Sequence, residues 1–266
     1  MGKYWRVLNI GIQNTLSYRV NFLFRALFGL IPLAAIISVW KTIYGQGQDK
    51  IGAYTLSMMV SYYLVVTLTD MLTAVAEDDW QIAADIREGR ISQFLLKPID
   101  YQTYRLTLFT SGRLIYSAVA FLPVAAFVWL QREHFVMPSN LEGYAAFGIS
   151  IVLTALLQFF ISYSMALLAF WLQEVSTFIF IAYAMEYLAG GHLFPLDILP
   201  APLFQALMLT PFPYQLYFPV NVYLGKVQGT ELWLGLCIQA AWTVAAYFLA
   251  RWVWSRGVRR YEAVGG

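Results

Sequence analysis

Six stretches of this chain are long and apolar enough to cross a bilayer as helices, and no other feature constrains the fold as much. About 20 apolar residues span the hydrocarbon layer as a helix. The stretches are roughly 21–40, 52–76, 112–130, one inside the uncharged run 143–173, one starting near Val175, and 232–252. Backbone inside that layer has no water to bond, so only helices or closed barrels cross it. Runs of this length predict an all-α membrane protein with six transmembrane helices. Charged residues make up 12% of the chain, against about 25% in a soluble domain, and they cluster between the runs.

Lys and Arg set the expected orientation. With both termini in the cytoplasm, thirteen of the seventeen fall inside, and Lys41, Lys50, Arg132 and Lys226 fall outside. Cytoplasmic loops carry such an excess. Arg25 and Arg113 lie near inner ends and read as anchors. Residues 1–19 form a separate element, with Trp5, Leu8, Ile12 and Leu16 at helical spacing and Lys3, Arg6, Asn9 and Gln13 elsewhere on the wheel. That pattern predicts an amphipathic helix on the inner surface. Residues 20–266 then make one six-span unit. A net charge of +2 gives no dense basic face, so no nucleic-acid partner is expected. The single cysteine, Cys237, excludes an internal disulfide, and its apolar setting predicts a buried thiol.

Two loops stand apart. The first, residues 77–108, is the longest and most charged cytoplasmic loop. Asp78 or Asp79 is placed to cap a helix beginning at Trp80, Gly89 to end it, and Pro98 to stop a second turn over 91–96. Ile82 and Ile86 share one face of that helix. The expectation is a short surface helix with charge and an apolar ridge exposed to the cytoplasm, suited to a groove on a partner; a helix resting on lipid headgroups is the competing reading. The second loop, residues 190–230, carries Pro195, Pro200, Pro202, Pro211, Pro213 and Pro219 with almost no charge. No continuous helix survives that proline density. The fifth run should break at Gly190-Gly191 and dip back as short helices, near 201–209 and 214–224. An outer cap that only packs is the alternative.

Glu186 falls about 11 residues into the fifth run, roughly 16 Å deep. A carboxylate there is costly unless paired or water-facing, so it is a candidate for a transport path, with a structural hydrogen bond as the alternative. Asp70 lies near the inner end of the second run, and His192 at the Gly-Gly break reads as a satisfied turn residue. The chain has no Gly-x-x-x-x-Gly-Lys-Ser/Thr phosphate loop and no Gly-x-Ser-x-Gly or His-Glu-x-x-His. No catalytic or metal-ligating set is expected, and any ATP hydrolysis must come from another chain.

In order along the chain, Gly89-Arg90-Ile91-Ser92-Gln93-Phe94-Leu95-Leu96-Lys97-Pro98-Ile99-Asp100, Phe194-Pro195-Leu196-Asp197-Ile198-Leu199-Pro200, Pro211-Phe212-Pro213 and the tail 257–266 resemble a type-2 ABC transporter permease, nearest a branch of bacterial drug and viologen exporters. The resemblance covers essentially the whole chain. It implies a membrane subunit of the bacterial inner membrane that binds no cofactor itself, with ATP and magnesium held by separate ABC ATPase subunits. It implies a coupling helix that docks on the ATPase through Trp80, Asp85, Arg87, Glu88, Gly89 and Arg90. It further implies a second permease, identical or homologous, with substrate passing at their interface near Asp70 and Glu186, beside the re-entrant element of Gly190, Gly191, Pro195, Pro200, Pro211 and Pro213. A lipid or polysaccharide exporter, a non-transporting scaffold and a lipid-modifying protein remain open beside a drug exporter.

Overall fold

A computed structural model describes residues 2–47, 49–75, 78–138 and 140–261. Eleven α-helices follow in order: α1 Gly2–Leu16, α2 Arg19–Gly45, α3 Leu56–Thr73, α4 Asp78–Arg87, α5 Ile91–Leu95, α6 Tyr101–Leu130, α7 Leu141–Ala166, α8 Ser176–Ala189, α9 Ala201–Met208, α10 Tyr217–Tyr223 and α11 Gly229–Arg260. Among the described residues there is no strand, only an isolated bridge between Ile51 and Tyr54. Helix starts are capped by side chains where the sequence offers them. Thr55 accepts the Met58 N–H, Asp100 the Thr103 N–H at 2.9 Å, and Asn140 the Gly143 N–H at 3.0 Å, each taking up an orphan donor.

Among the described residues five helices, not six, are long and apolar enough to cross a membrane: α2, α3, α6, α7 and α11. The fifth expected span is α8, only 14 residues long, or about 21 Å at the helical rise. That is short of the roughly 30 Å hydrocarbon layer. The break at Gly190-Gly191 is where the sequence places it, and Gly191 has φ +99°, a conformation open to glycine at no steric cost. The expected end of the second span at Ala76 lies outside the described residues, as do Glu77 and the tail 262–266.

α3 sits at the centre of the bundle. Eleven of its 18 residues are buried, including the run Met59–Val66, so other elements cover most of its surface. α2 and α6 instead turn large apolar side chains outward, among them Phe28, Phe121 and Leu122, as lipid-facing helices do. α11 packs along α7 and comes close to two rings. A Cβ on Gly235 would lie 2.2 Å from the Phe218 ring, and one on Gly257 would lie 2.2 Å from the Phe170 ring. The same helix turns Cys237 outward, against the expectation of a buried thiol, because this side of α11 has no neighbour.

α1 forms as the sequence predicts, over Gly2–Leu16. It lies along α6 through buried Gly11, where a Cβ would sit 2.3 Å from Ser111 Oγ. The close approach at Gly11 sets the rotation of α1 and leaves Trp5 and Leu16 of the expected apolar stripe exposed.

Between α8 and α11 the chain runs in short pieces. Tyr217 donates its N–H to the Gly190 carbonyl at 2.9 Å, so the start of α10 sits beside the end of α8. Lys226, past α10, pairs with Asp197 and lies 3.6 Å over the Tyr54 ring. The chain therefore leaves Gly190, reaches the level of Asp197, returns through α9 and climbs again through α10. Non-helical backbone packed among apolar helices needs its polar groups covered. Tyr62 OH donates to the Gly191 carbonyl at 2.6 Å, Tyr63 OH to the Leu193 carbonyl, and Gln239 Nε2 to the Tyr214 carbonyl at 2.8 Å.

Candidate functional site

α4 is the element on which the docking expectation rests. Asp79, Ile82, Ala83 and Ile86 recur at i, i+3, i+4 and i+7, one face of a helix, and all four are buried. The apolar ridge expected to face the cytoplasm is therefore spent against α7 and the turn after it. Asp79 does not cap α4 in the usual way. Its carboxylate turns inward and accepts the Trp80 N–H at 2.8 Å, Ser162 Oγ of α7 at 3.2 Å and the Tyr183 hydroxyl of α8. Burial pushes its carboxyl above the ordinary aspartate value, against those three donors. One side chain thus fastens α4 to two transmembrane-region helices.

The named docking residues divide in two. Trp80, Arg87, Glu88 and Arg90 are exposed. Asp85 is not: it accepts Arg90 Nε at 2.8 Å and the Tyr101 hydroxyl at 2.7 Å, and Arg105 lies 3.6 Å away. It organises the loop from inside. Gly89 ends α4 with φ +76°, and its carbonyl accepts the Tyr261 hydroxyl at 2.9 Å. Tyr261 follows α11 directly, and Arg251 of α11 pairs with Asp100 at the head of α6. Burial raises the Asp100 carboxyl, but Arg251 and Thr103 outweigh it and hold the group below its usual value. The surface of α4 is thus a platform braced by α6, α7, α8 and the end of α11.

A second polar group lies deeper. Glu186, one turn past Tyr183 on α8, accepts Gln158 Nε2 of α7 at 2.9 Å. His192 Nε2 lies 3.3 Å from Asp70 Oδ1 of α3, its ring stacks on Tyr187 with centroids 5.0 Å apart, and it is close enough to Glu186 for their charges to interact. His192 thus ties Asp70 of α3 to the end of α8 that carries Glu186, a link that no local sequence pattern indicated. Glu186, Tyr183, Asp79, Gln158 and Gln215 line one cavity of about 20 Å³, near the space of a single water. Gln158 Oε1 and Gln215 Nε2 have no protein partner among the described residues.

Of the re-entrant residues, Gly190 and Gly191 form the break, Pro195 precedes a 3-10 turn at Leu196–Ile198, Pro200 precedes α9, and Pro211 precedes a second turn, Phe212–Gln215, that contains Pro213. Sequence reasoning missed Gln239, a buried uncharged residue of α11. Its amide bonds Ser150, Thr154 and the Tyr214 carbonyl, tying α7, α11 and the re-entrant segment at one point. A lone glutamine in a 32-residue apolar helix was its only sequence signal.

Compared with known families, residues 30–265 match the model described as ABC-2 family transporter protein. No curated protein matches the chain closely enough to count as a relative.

Proposed function

The chain belongs to the ABC-2 transporter family, and on that premise we propose that it is the permease subunit of an ATP-driven exporter in a bacterial inner membrane. A second permease, identical or homologous, completes the translocation path. Separate ABC ATPase subunits bind ATP and magnesium and supply the energy. The cargo is a hydrophobic or amphiphilic, drug-like compound. α4 is the coupling helix, and Trp80, Arg87, Glu88 and Arg90 are the side chains that meet the ATPase. Both termini lie on the ATPase side. The sixth crossing is made by α8 with the re-entrant segment above it.

The observation that carries this reading is the inward turn of Asp79. A helix that only rested on headgroups would have no need to place a buried carboxylate against two transmembrane-region helices. With Asp79 bonded to Tyr183, and Glu186 one turn further along α8, a displacement of α4 is passed to α8 and to the polar cluster around Glu186, His192 and Asp70. ATP-driven closure of the ATPases then regates the path through a rigid lever. The permease performs no covalent chemistry.

The test is purification of the full chain with its ATPase under mild detergent, paired with an export assay. Glu88→Ala or Gly89→Pro is expected to abolish ATPase co-purification while the spans stay folded; a proline cannot adopt the positive φ of Gly89. Glu186→Ala is expected to alter export and leave docking intact. Unchanged co-purification in the loop variants sinks the docking assignment. A chain that never retains an ATPase favours a scaffold or lipid-modifying protein, and lipid or polysaccharide export in place of drug export corrects the cargo alone.

A further inference from the structure

Two buried amides face the small cavity between α7, α8 and the turn that precedes α10. Gln158 is 3% exposed and Gln215 1% exposed. Gln158 gives its Nε2 to Glu186 at 2.9 Å. That leaves its Oε1, on the other side of the planar amide, as an acceptor with no partner among the described residues. Gln215 Nε2 is a donor with no partner among them. Both side chains line the cavity together with Asp79, Ser162, Tyr183 and Glu186.

An unpaired buried polar atom costs its desolvation, and folded proteins pair nearly all of them. One acceptor and one donor in the same wall call for a partner that both donates and accepts. The cavity, about 20 Å³, exceeds the roughly 10–15 Å³ that one water needs. It is far below the roughly 300 Å³ of the smallest organic-ligand pockets. Apolar cavities of small size stay dry, but six polar side chains contribute to this wall. A sodium ion would suit the acceptor and the carboxylates, yet it offers nothing to Gln215 Nε2 and would leave that donor unpaired. Water answers both amides.

We propose that this cavity binds one structural water, which donates to Gln158 Oε1, accepts from Gln215 Nε2 and keeps its second hydrogen for a carboxylate, Asp79 or Glu186. Asp79 is already bonded to Ser162 and Tyr183, and Glu186 to Gln158. Through the water the turn Phe212–Gln215 joins that group. One tie between α4 and the re-entrant segment then passes through a solvent molecule. The site stands whatever the protein transports.

Gln215→Met in the full chain, followed by thermal midpoint in detergent, tests this. Methionine has nearly the volume of glutamine but no donor. With the water bound, the change removes one of its bonds, and the midpoint is expected to fall by about 2–4 °C. In a dry cavity the change deletes an unpaired buried donor, so the midpoint holds or rises; that result overturns the proposal. The losses from Gln215→Met and Gln158→Met should combine to less than their sum, because one water serves both amides; strictly additive losses also overturn it. A crystal or cryo-EM map of the unaltered chain, fine enough to show ordered solvent, needs no variant. A density peak at hydrogen-bond distance from both Gln158 Oε1 and Gln215 Nε2 is expected, and an empty cavity is fatal to the assignment. Sodium chloride against choline chloride at equal ionic strength separates water from an ion: equal midpoints are expected, and a midpoint raised by sodium alone gives the site to a cation instead.

Discussion

A carboxylate that water does not reach must be held by donors, and Asp79 has three: the Trp80 N–H and the hydroxyls of Ser162 and Tyr183. Replacing it by alanine removes the one acceptor shared by the Ser162 and Tyr183 hydroxyls, which between them can then satisfy only one of their two donors, at a cost of about 1–3 kcal/mol; a thermal or denaturant midpoint in detergent reads this. Asp79→Asn keeps the shape and removes the charge, and the difference appears against pH. Burial raises the Asp79 carboxyl above its unfolded value of 3.8, so the folded chain holds this proton more tightly than the unfolded one. The stability it contributes is full below the unfolded value and falls as pH rises through the window up to the folded value. Wild type is expected to lose stability across that window and Asp79→Asn to lose less; parallel curves would refute the assignment. Part of this was legible in the sequence. The i, i+3, i+4, i+7 spacing of Asp79, Ile82, Ala83 and Ile86 puts the aspartate on the buried stripe. What Asp79, Asp85 and Asp70 bond to was not, because Tyr183, Tyr101 and His192 lie 104, 16 and 122 positions away, and no local pattern encodes such pairings.

Glycine decides how elements meet in this bundle. Gly191 combines φ +99° with a neighbour, and a Cβ there would lie 2.7 Å from the Tyr62 hydroxyl that bonds its own carbonyl. Gly191→Ala therefore strains the backbone and displaces the donor that covers it. A loss of about 1–3 kcal/mol is expected, read as a fall in thermal midpoint. Gly148→Ala on α7 is the control. It has open space and no positive φ, and gains up to about 1 kcal/mol of helix propensity. A Gly191→Ala protein as stable as this control would show that the turn tolerates other geometry. The break itself, and helices near 201–209 and 214–224, followed from proline and glycine placement, since those residues act on their own backbone. The length of α8 follows from the same signals, since a start near Val175 and a break at Gly190-Gly191 leave room for the 14 residues seen. Counting that run as a full span did not allow for so short a helix. The face by which α1 packs was hidden: its rotation is set by contact between Gly11 and Ser111, 100 positions apart.

For the whole molecule the open face of α8 carries the largest consequence. Its polar side, Tyr183 and Glu186, turns toward α4 and α7, while Phe178, Phe180, Ile181, Met185 and Leu188 are exposed. A helix too short to cross alone, with a charged group one turn from its inner bonds, is better enclosed by protein than by lipid. If two permeases form the path, the second should cover this face. Cys237 is the single native cysteine and is exposed, so it must first be changed to serine. In that background Phe180→Cys, at a position 70% exposed, is expected to cross-link on mild oxidation in native membranes. The product should run at about twice the 30.3 kDa of one chain if the partner is a second copy, or with a distinct chain if it is a homologue. Leu122→Cys on α6 is slightly more exposed, at 74%, yet it should stay monomeric, because a disulfide needs Cα atoms within about 7 Å and lipid would separate two α6 faces. Exposure alone would make the two positions equal. The contrast between them therefore reports a specific interface. Cross-linking through α6 and not α8 would place the partner on the other side of the bundle, and the path would then not run past Glu186.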